Sequence, residues 1–270
     1  MILSLLTLLL LAWLLLKLVR GIELAVEFFK LRAETHAAQV ISSLHRERVN
    51  SFLDDLTLSW YQLVVIFALG SFLGLVVEQI WMFITAGLTE HRYGLVWGPF
   101  SPIYGFGATF LTLLSWKLRE RGSKWWQVFL CSVVVGGALE QFTGWAMETF
   151  MGAVSWDYSN VPGAITKWVA WPFLFFWGVL GLVWAEKVMP ELLYRIGKPT
   201  KKRQVIAVAV LAIYLVADIF MTLACFERIA ARDAGVAPRN GFEAWIDEHY
   251  SDEFVANRFE NMVFDNQSES

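Results

Sequence analysis

Six apolar stretches, each near the roughly 20 residues a helix needs to cross bilayer hydrocarbon, limit this chain to a membrane-embedded helical fold. Hydropathy places them at about 2–19, 60–86, 103–118, 126–150, 168–187 and 205–226. The third is short and begins in a Pro/Gly-rich run, which predicts an irregular outer end. Only 17% of the 270 residues are charged and 57% are hydrophobic, whereas a soluble domain carries about 25% charged residues. The expected class is an all-α polytopic membrane protein with about six transmembrane helices. The chain reads as three parts: an N-terminal anchor with a cytosolic helix over 1–58, a five-span core over 59–226, and an acidic, aromatic-containing tail over 227–270.

Lys and Arg set the orientation, because cytoplasmic loops retain an excess of them. Lys17, Arg20, Lys30, Arg32, Arg46 and Arg48 follow the first stretch. Lys117, Arg119, Arg121 and Lys124 follow the third, and Lys187, Arg195, Lys198, Lys201, Lys202 and Arg203 follow the fifth. The alternate loops hold little besides Arg92 and Lys167. This alternation predicts that both termini lie outside. The first stretch has no basic leader and no small-residue cleavage site, so it reads as a retained anchor. Between residues 21 and 56, Val26, Phe29, Ala33, Ala37, Val40, Leu44 and Leu56 recur at helical spacing among charged residues. That pattern predicts an amphipathic helix, lying on the inner leaflet or docking a cytosolic partner.

Two glutamates inside the apolar stretches share a local frame. Glu78 and Glu140 each follow a glycine by four residues and precede a glutamine: Gly74-x-x-x-Glu78-Gln79 and Gly136-x-x-x-Glu140-Gln141. A charged group at mid-bilayer costs about 2.5–3.5 kcal/mol on insertion scales, so such residues face a protein interior or wet cavity and mark a functional site. The echo suggests a two-helix repeat framing a central site. Glu148 shares a helix face with Glu140 two turns on, about 12 Å away. The run 91–107, H-R-Y-G-L-V-W-G-P-F-S-P-I-Y-G-F-G, holds Arg92 and Tyr104 and is too broken by proline and glycine for one continuous helix. Its aromatic content predicts a re-entrant or tightly folded outer loop lining a vestibule. Trp156-Asp157-Tyr158-Ser159 then reads as a turn, with Asp157 either capping it or facing the same cavity as Glu148. Cys131 and Cys225 show no metal or disulfide spacing, and the four histidines suggest no zinc site. No cofactor is expected.

Those motifs resemble the type IV ABC-transporter permease family of bacterial membranes. The resemblance rests on an acidic residue in the preceding span, G-P-F-S-P-I-Y-G, the Glu140/Glu148 pair and W-D-Y-S, and covers about residues 69–178. The tail, I-D-E-H-Y-S-D-E-F with R-F-E-N-M, is also similar. Family members tend to carry an Asn and then Gly-Arg-Ile after the W-D-Y-S turn. Here Val161-Pro-Gly163-Ala-Ile165 lacks that Arg, and Lys167 is its possible substitute. The resemblance implies a multi-pass protein of the bacterial inner membrane with a transporter-like role.

Three functions fit. A permease-like protein would bind or move a small solute or cation, with protons exchanged at Glu78, Glu140 and Glu148, and with Asp157, Arg92, Tyr104 and Tyr158 completing the site. No P-loop is present, since Gly197-Lys198-Pro199-Thr200 lacks its upstream glycine. An ABC role therefore requires a separate ATPase on the basic inner loops or the 21–56 helix. Membrane lipids are the other expected partners, and no nucleic acid is. The alternatives are an intramembrane lipid or isoprenoid enzyme using carboxylate acid/base chemistry, and a non-catalytic scaffold. Enzymatic activity is left open, with the balance against it.

Overall fold

The computed structural model describes residues 36–264, so the first apolar stretch and residues 21–35 lie outside the described residues. The chain divides into two units, 1–55 and 56–270. In the first, α1 spans His36–Asp54. The second is helical except for one short β-ladder: α2 (Trp60–Ala86), α3 (Pro102–Glu120), α4 (Trp125–Met151), β1 (Ala153–Val154), α5 (Trp171–Val183), α6 (Met189–Ile196), α7 (Lys202–Asp233), α8 (Gly241–His249), α9 (Asp252–Arg258) and β2 (Val263–Phe264). A π-helical turn over Trp184–Val188 joins α5 to α6.

Among the described residues, four helices are long and apolar enough to cross a membrane: Trp60–Ala86, Trp125–Phe150, the α5–α6 rod Trp171–Ile196, and Lys202–Asp233. The short stretch at 103–118 forms α3, a 19-residue helix that is not among them. The large apolar side chains that α2, α4, α5 and α7 expose, including Phe83, Val134, Phe175 and Val216, suit a hydrocarbon solvent. In water they would form a continuous liability.

Two helical hairpins, α2–α3 and α4–α5, are built on matching contacts. Gly74 leaves room for the Tyr104 ring, and Gly136 leaves room for the Trp177 ring; a Cβ on either glycine would overlap the ring. The residue after each ring is also a glycine. Gly105 packs against Phe67, and Gly178 against Phe129. Phe67 and Phe129 each lie seven residues before the ring-accepting glycine. Gln79 Nε2 donates to the Glu90 carbonyl at 2.8 Å, and Gln141 Oε1 accepts from Thr166 Oγ1 at 2.8 Å. Each glutamine thus pins the connection that leads to its returning helix. Both outgoing helices stop at a glycine in the left-handed region, Gly87 with φ 67° and Gly152 with φ 57°, where a Cβ would be strained. The echoed Gly-x-x-x-Glu-Gln is therefore a packing rule as well as a sequence pattern.

The residues after α7 fold back over one end of the bundle. Val96, Ala153, Cys225, Phe226, Ile246, Val255 and Phe259 form a buried core there, and β2 pairs antiparallel with β1, Ala153 opposite Phe264. Arg228, almost wholly buried, donates Nε to Asp247 Oδ1 at 2.9 Å and Nη2 to Asp247 Oδ2 at 2.6 Å, a two-pronged pair. Arg232 also bonds Asp247, and Arg239 bonds Glu243. The Arg228 guanidinium holds the Asp247 carboxyl below the usual carboxylate range. A carboxyl depressed in the fold stabilises it fully above its unfolded value, near about pH 4, and that contribution fades as pH falls through its folded value. Acidification from pH 6 to pH 2 is therefore expected to loosen α8 and α9 below about pH 4. Trp245 near-UV circular dichroism would report it, and a signal unchanged to pH 2 would show that the ion network does not hold the cap.

Candidate functional site

The segment between α2 and α3 is fixed by other parts of the chain. Trp97 N–H donates to Asp218 Oδ1 at 2.9 Å and Val96 N–H to Thr222 Oγ1 at 2.9 Å, both on α7. Arg258 reaches back from α9 to the carbonyls of Leu95 and Gly98, at 3.0 and 2.6 Å. Its guanidinium also lies 3.8 Å from the Tyr93 ring centroid, a cation–π contact. Backbone groups of a segment rich in apolar side chains are thus tied to α7 and α9.

Beneath this segment lies a cavity of about 150 Å3. Glu78, Arg92, Tyr104, Glu140 and Tyr158 all line it, so the structure brings five of the seven residues expected for the site to one place. Glu78 is paired: Arg92 Nε donates to its Oε1 at 2.7 Å. Tyr104 also faces the Glu78 carboxylate. Glu140 is different. It is 8% exposed, and its Oε1 accepts from Trp177 Nε1 at 3.0 Å. Its Oε2 is buried without a partner. Asn261, on the same cavity wall, has an unpartnered buried Oδ1 while its Nδ2 donates to Ser155 Oγ at 3.2 Å.

Tyr158 enters from the α4–α5 connection. Its ring stacks on Phe173 with centroids 4.4 Å apart, and its N–H donates to the Lys167 carbonyl at 2.7 Å. Burial, then the Glu140 and Glu78 carboxylates, hold its phenol above the ordinary tyrosine range. At neutral pH it is an O–H donor.

The remaining two residues lie elsewhere. Glu148 does not line the cavity; its Oε1 accepts from Lys167 Nζ at 2.8 Å. Lys167 therefore sits in the second hairpin's connection as Arg92 does in the first, but it neutralises Glu148 and leaves Glu140 uncompensated. Asp157 is a turn cap: its Oδ1 accepts from Ser159 N–H at 2.7 Å, and the Ser159 side chain, then that N–H, hold its carboxyl below the usual range. An intramembrane lipid enzyme would need an aromatic lining, but of the nearby rings only Tyr104, Trp156, Tyr158, Tyr93 and Trp177 border the cavity, while Trp81, Trp97 and Trp145 are 40–45% exposed.

Sequence reasoning missed Trp177, Asn261 and Met262. Trp177 sits in W-P-F-L-F-F-W-G, where nothing separates it from a lipid-facing tryptophan. The signal that could have found it is the shared tyrosine/tryptophan-glycine pair opposite each Gly-x-x-x-Glu. Among the described residues no group of three or more His, Cys, Asp or Glu is arranged to hold a metal ion.

The cavity can offer one net negative charge, two orphaned oxygen acceptors and phenolic hydroxyls. That set suits a cation or a hydrogen-bond donor and disfavours an anion. No curated protein and no solved structure matches the chain. The family model for the Putative ABC-transporter type IV proteins matches residues 65–223, which takes in both hairpins, both cavity glutamates and most of α7, and the chain belongs to that family.

Proposed function

We propose that this is a permease-like membrane protein that binds a small cation, or a solute with a cationic head, at Glu140 and passes it through the bundle. The observation that carries the reading is the unpaired Glu140 carboxylate, since a buried charge without a counter-ion is costly unless a ligand or proton supplies one. Glu78 and Arg92 form a neutral pair beside it, with Tyr104 and Tyr158 as hydrogen-bonding neighbours. Glu148 and Asp157 are assigned to local structure. Proton exchange at Glu140 would couple movement of the solute to a proton gradient.

The proposed setting is a bacterial inner membrane, with six spans and both termini outside. Single cysteines at positions 201 and 248 are then expected to label from opposite faces of the membrane; labelling from one face would overturn that topology. A separate ATPase is the proposed energy-supplying partner, docking on the basic segments 117–124 and 187–203 or on the segment 21–56. In nanodiscs, calorimetric titration is expected to show binding of methylammonium and none of acetate. Proteoliposomes should take up the cation that binds, with or without such a partner. Absence of any small-cation binding would refute the site.

A further inference from the structure

The charged cavity has a neighbour. A second chamber of about 200 Å3 lies beside it between α3, α4 and α7. The two share Gly94, Ser101, Ile103, Ser155, Trp156 and Met262 as lining. Beyond that common wall the second chamber is apolar, with Phe106 from α3, Met147 from α4 and Leu223 from α7. Beyond the shared wall its polar side chains are two threonines, Thr143 and Thr222, and Thr222 Oγ1 is engaged, accepting from Val96 N–H and donating to the Asp218 carbonyl. A chamber with such walls offers water few partners, whereas hydrocarbon placed there gains apolar contact. Next door the buried Oε2 of Glu140 and Oδ1 of Asn261 both lack partners, so the juxtaposed spaces complement the two ends of one molecule.

We propose that the ligand is an amphipathic organic cation, a primary ammonium with a short apolar body. Its head rests on Glu140 and its body fills the chamber between α3, α4 and α7. This rests on the cation-site reading and adds the second half of the ligand. The ammonium donates one N–H to Glu140 Oε2 and a second to Asn261 Oδ1, and its methylenes pass the Ile103–Trp156–Met262 wall. Such a molecule is admitted by two criteria at once: an anion fails at Glu140, and an inorganic cation leaves the apolar chamber unused.

The experiment is a titration of the protein in nanodiscs with methyl-, ethyl-, propyl-, butyl- and hexylammonium, read by tryptophan fluorescence, since Trp156 and Trp177 line the charged cavity. Matched 1-alkanols and alkanoates serve as controls, and empty nanodiscs correct for partition into lipid. Affinity is expected to climb about fourfold per methylene, level off once the chamber is full, and be at least tenfold weaker for the alkanol of equal length. Glu140→Gln should abolish the preference for ammonium over alkanol. Leu223→Phe and Phe106→Trp, two independent ways to fill the chamber, should each flatten the series.

Ammonium binding that depends on Glu140 but is flat with chain length would overturn this inference and leave the cation site standing. A series that climbs equally for alkanols and in Glu140→Gln would also overturn it, because the gain would then be simple partition. Failure of every ammonium to bind would remove the cation site and this inference together.

Discussion

Replacing Glu140 by Gln is expected to weaken cation binding about ten- to a hundredfold while the helices stay assembled. The magnitude follows from losing a charge-assisted hydrogen bond, worth about 1.5–3 kcal/mol, in a cavity whose other carboxylate is already neutralised by Arg92. The stability side carries the discrimination. Glu140 has a single protein partner, Trp177 Nε1, and a glutamine oxygen can still accept that bond. Removing an uncompensated buried charge relieves desolvation, so the thermal midpoint should hold or rise. If Glu140 served only to tie helices together, the variant would instead fall apart or melt early, with binding lost in proportion to folded protein. Midpoint and affinity measured on one nanodisc preparation separate the two, and Glu78→Gln should lower stability more, because it strands Arg92.

The second large effect lies in packing. Gly136→Ala is expected to destabilise the α4–α5 hairpin by about 1–3 kcal/mol, the range for forcing atoms into a filled core, because the new methyl overlaps the Trp177 ring. The ring cannot retreat without giving up its bond to Glu140, so the same substitution should also weaken the cation site. Gly74→Ala should act on Tyr104 in the same way. Gly241→Ala, where nothing lies within 4 Å of the added atom, is the control and should change little. A double-mutant cycle makes the argument specific: in a Trp177→Ala background the cost of Gly136→Ala should shrink by at least about 0.5 kcal/mol. An equal cost in both backgrounds would mean that Gly136 matters for some reason other than the ring.

Much of this was legible in the sequence because the bilayer is a demanding solvent. Backbone hydrogen bonding leaves only helices or closed barrels to cross it, so the long apolar runs at 60–86 and 126–150 pointed to α2 and α4 within a residue, and the run at 205–226 to α7, which continues seven residues further to Asp233. Glu78 and Glu140 stood out for the same reason, a carboxylate being expensive where apolar residues surround it. Arg92, Tyr104 and Tyr158 were found because they sit beside turn residues in segments too aromatic for open solvent.

Helical spacing misled at Glu148. It puts Glu148 on the same face as Glu140 but two turns along, and Lys167 from the following connection takes up its charge before it reaches the cavity. No one-dimensional pattern encodes that pairing. Asn261 was invisible for the opposite reason: it lies more than 100 residues from every other cavity residue except its neighbour Met262 and Trp177, and only the fold-back through α8, α9 and β2 brings it there. Trp177 was hidden by context, one ring in a run of apolar ones.

Solid-state NMR on the reconstituted protein tests the central claim most directly, by recoupling 15N-methylammonium to 13C-glutamate side-chain carboxyls in lipid. A cation seated on Glu140 predicts a short nitrogen–carboxyl contact in the native protein that disappears in Glu140→Gln and survives in Glu148→Gln. Loss of the contact in Glu148→Gln, its persistence in Glu140→Gln, or bound methylammonium with no carboxyl contact at all would contradict the account.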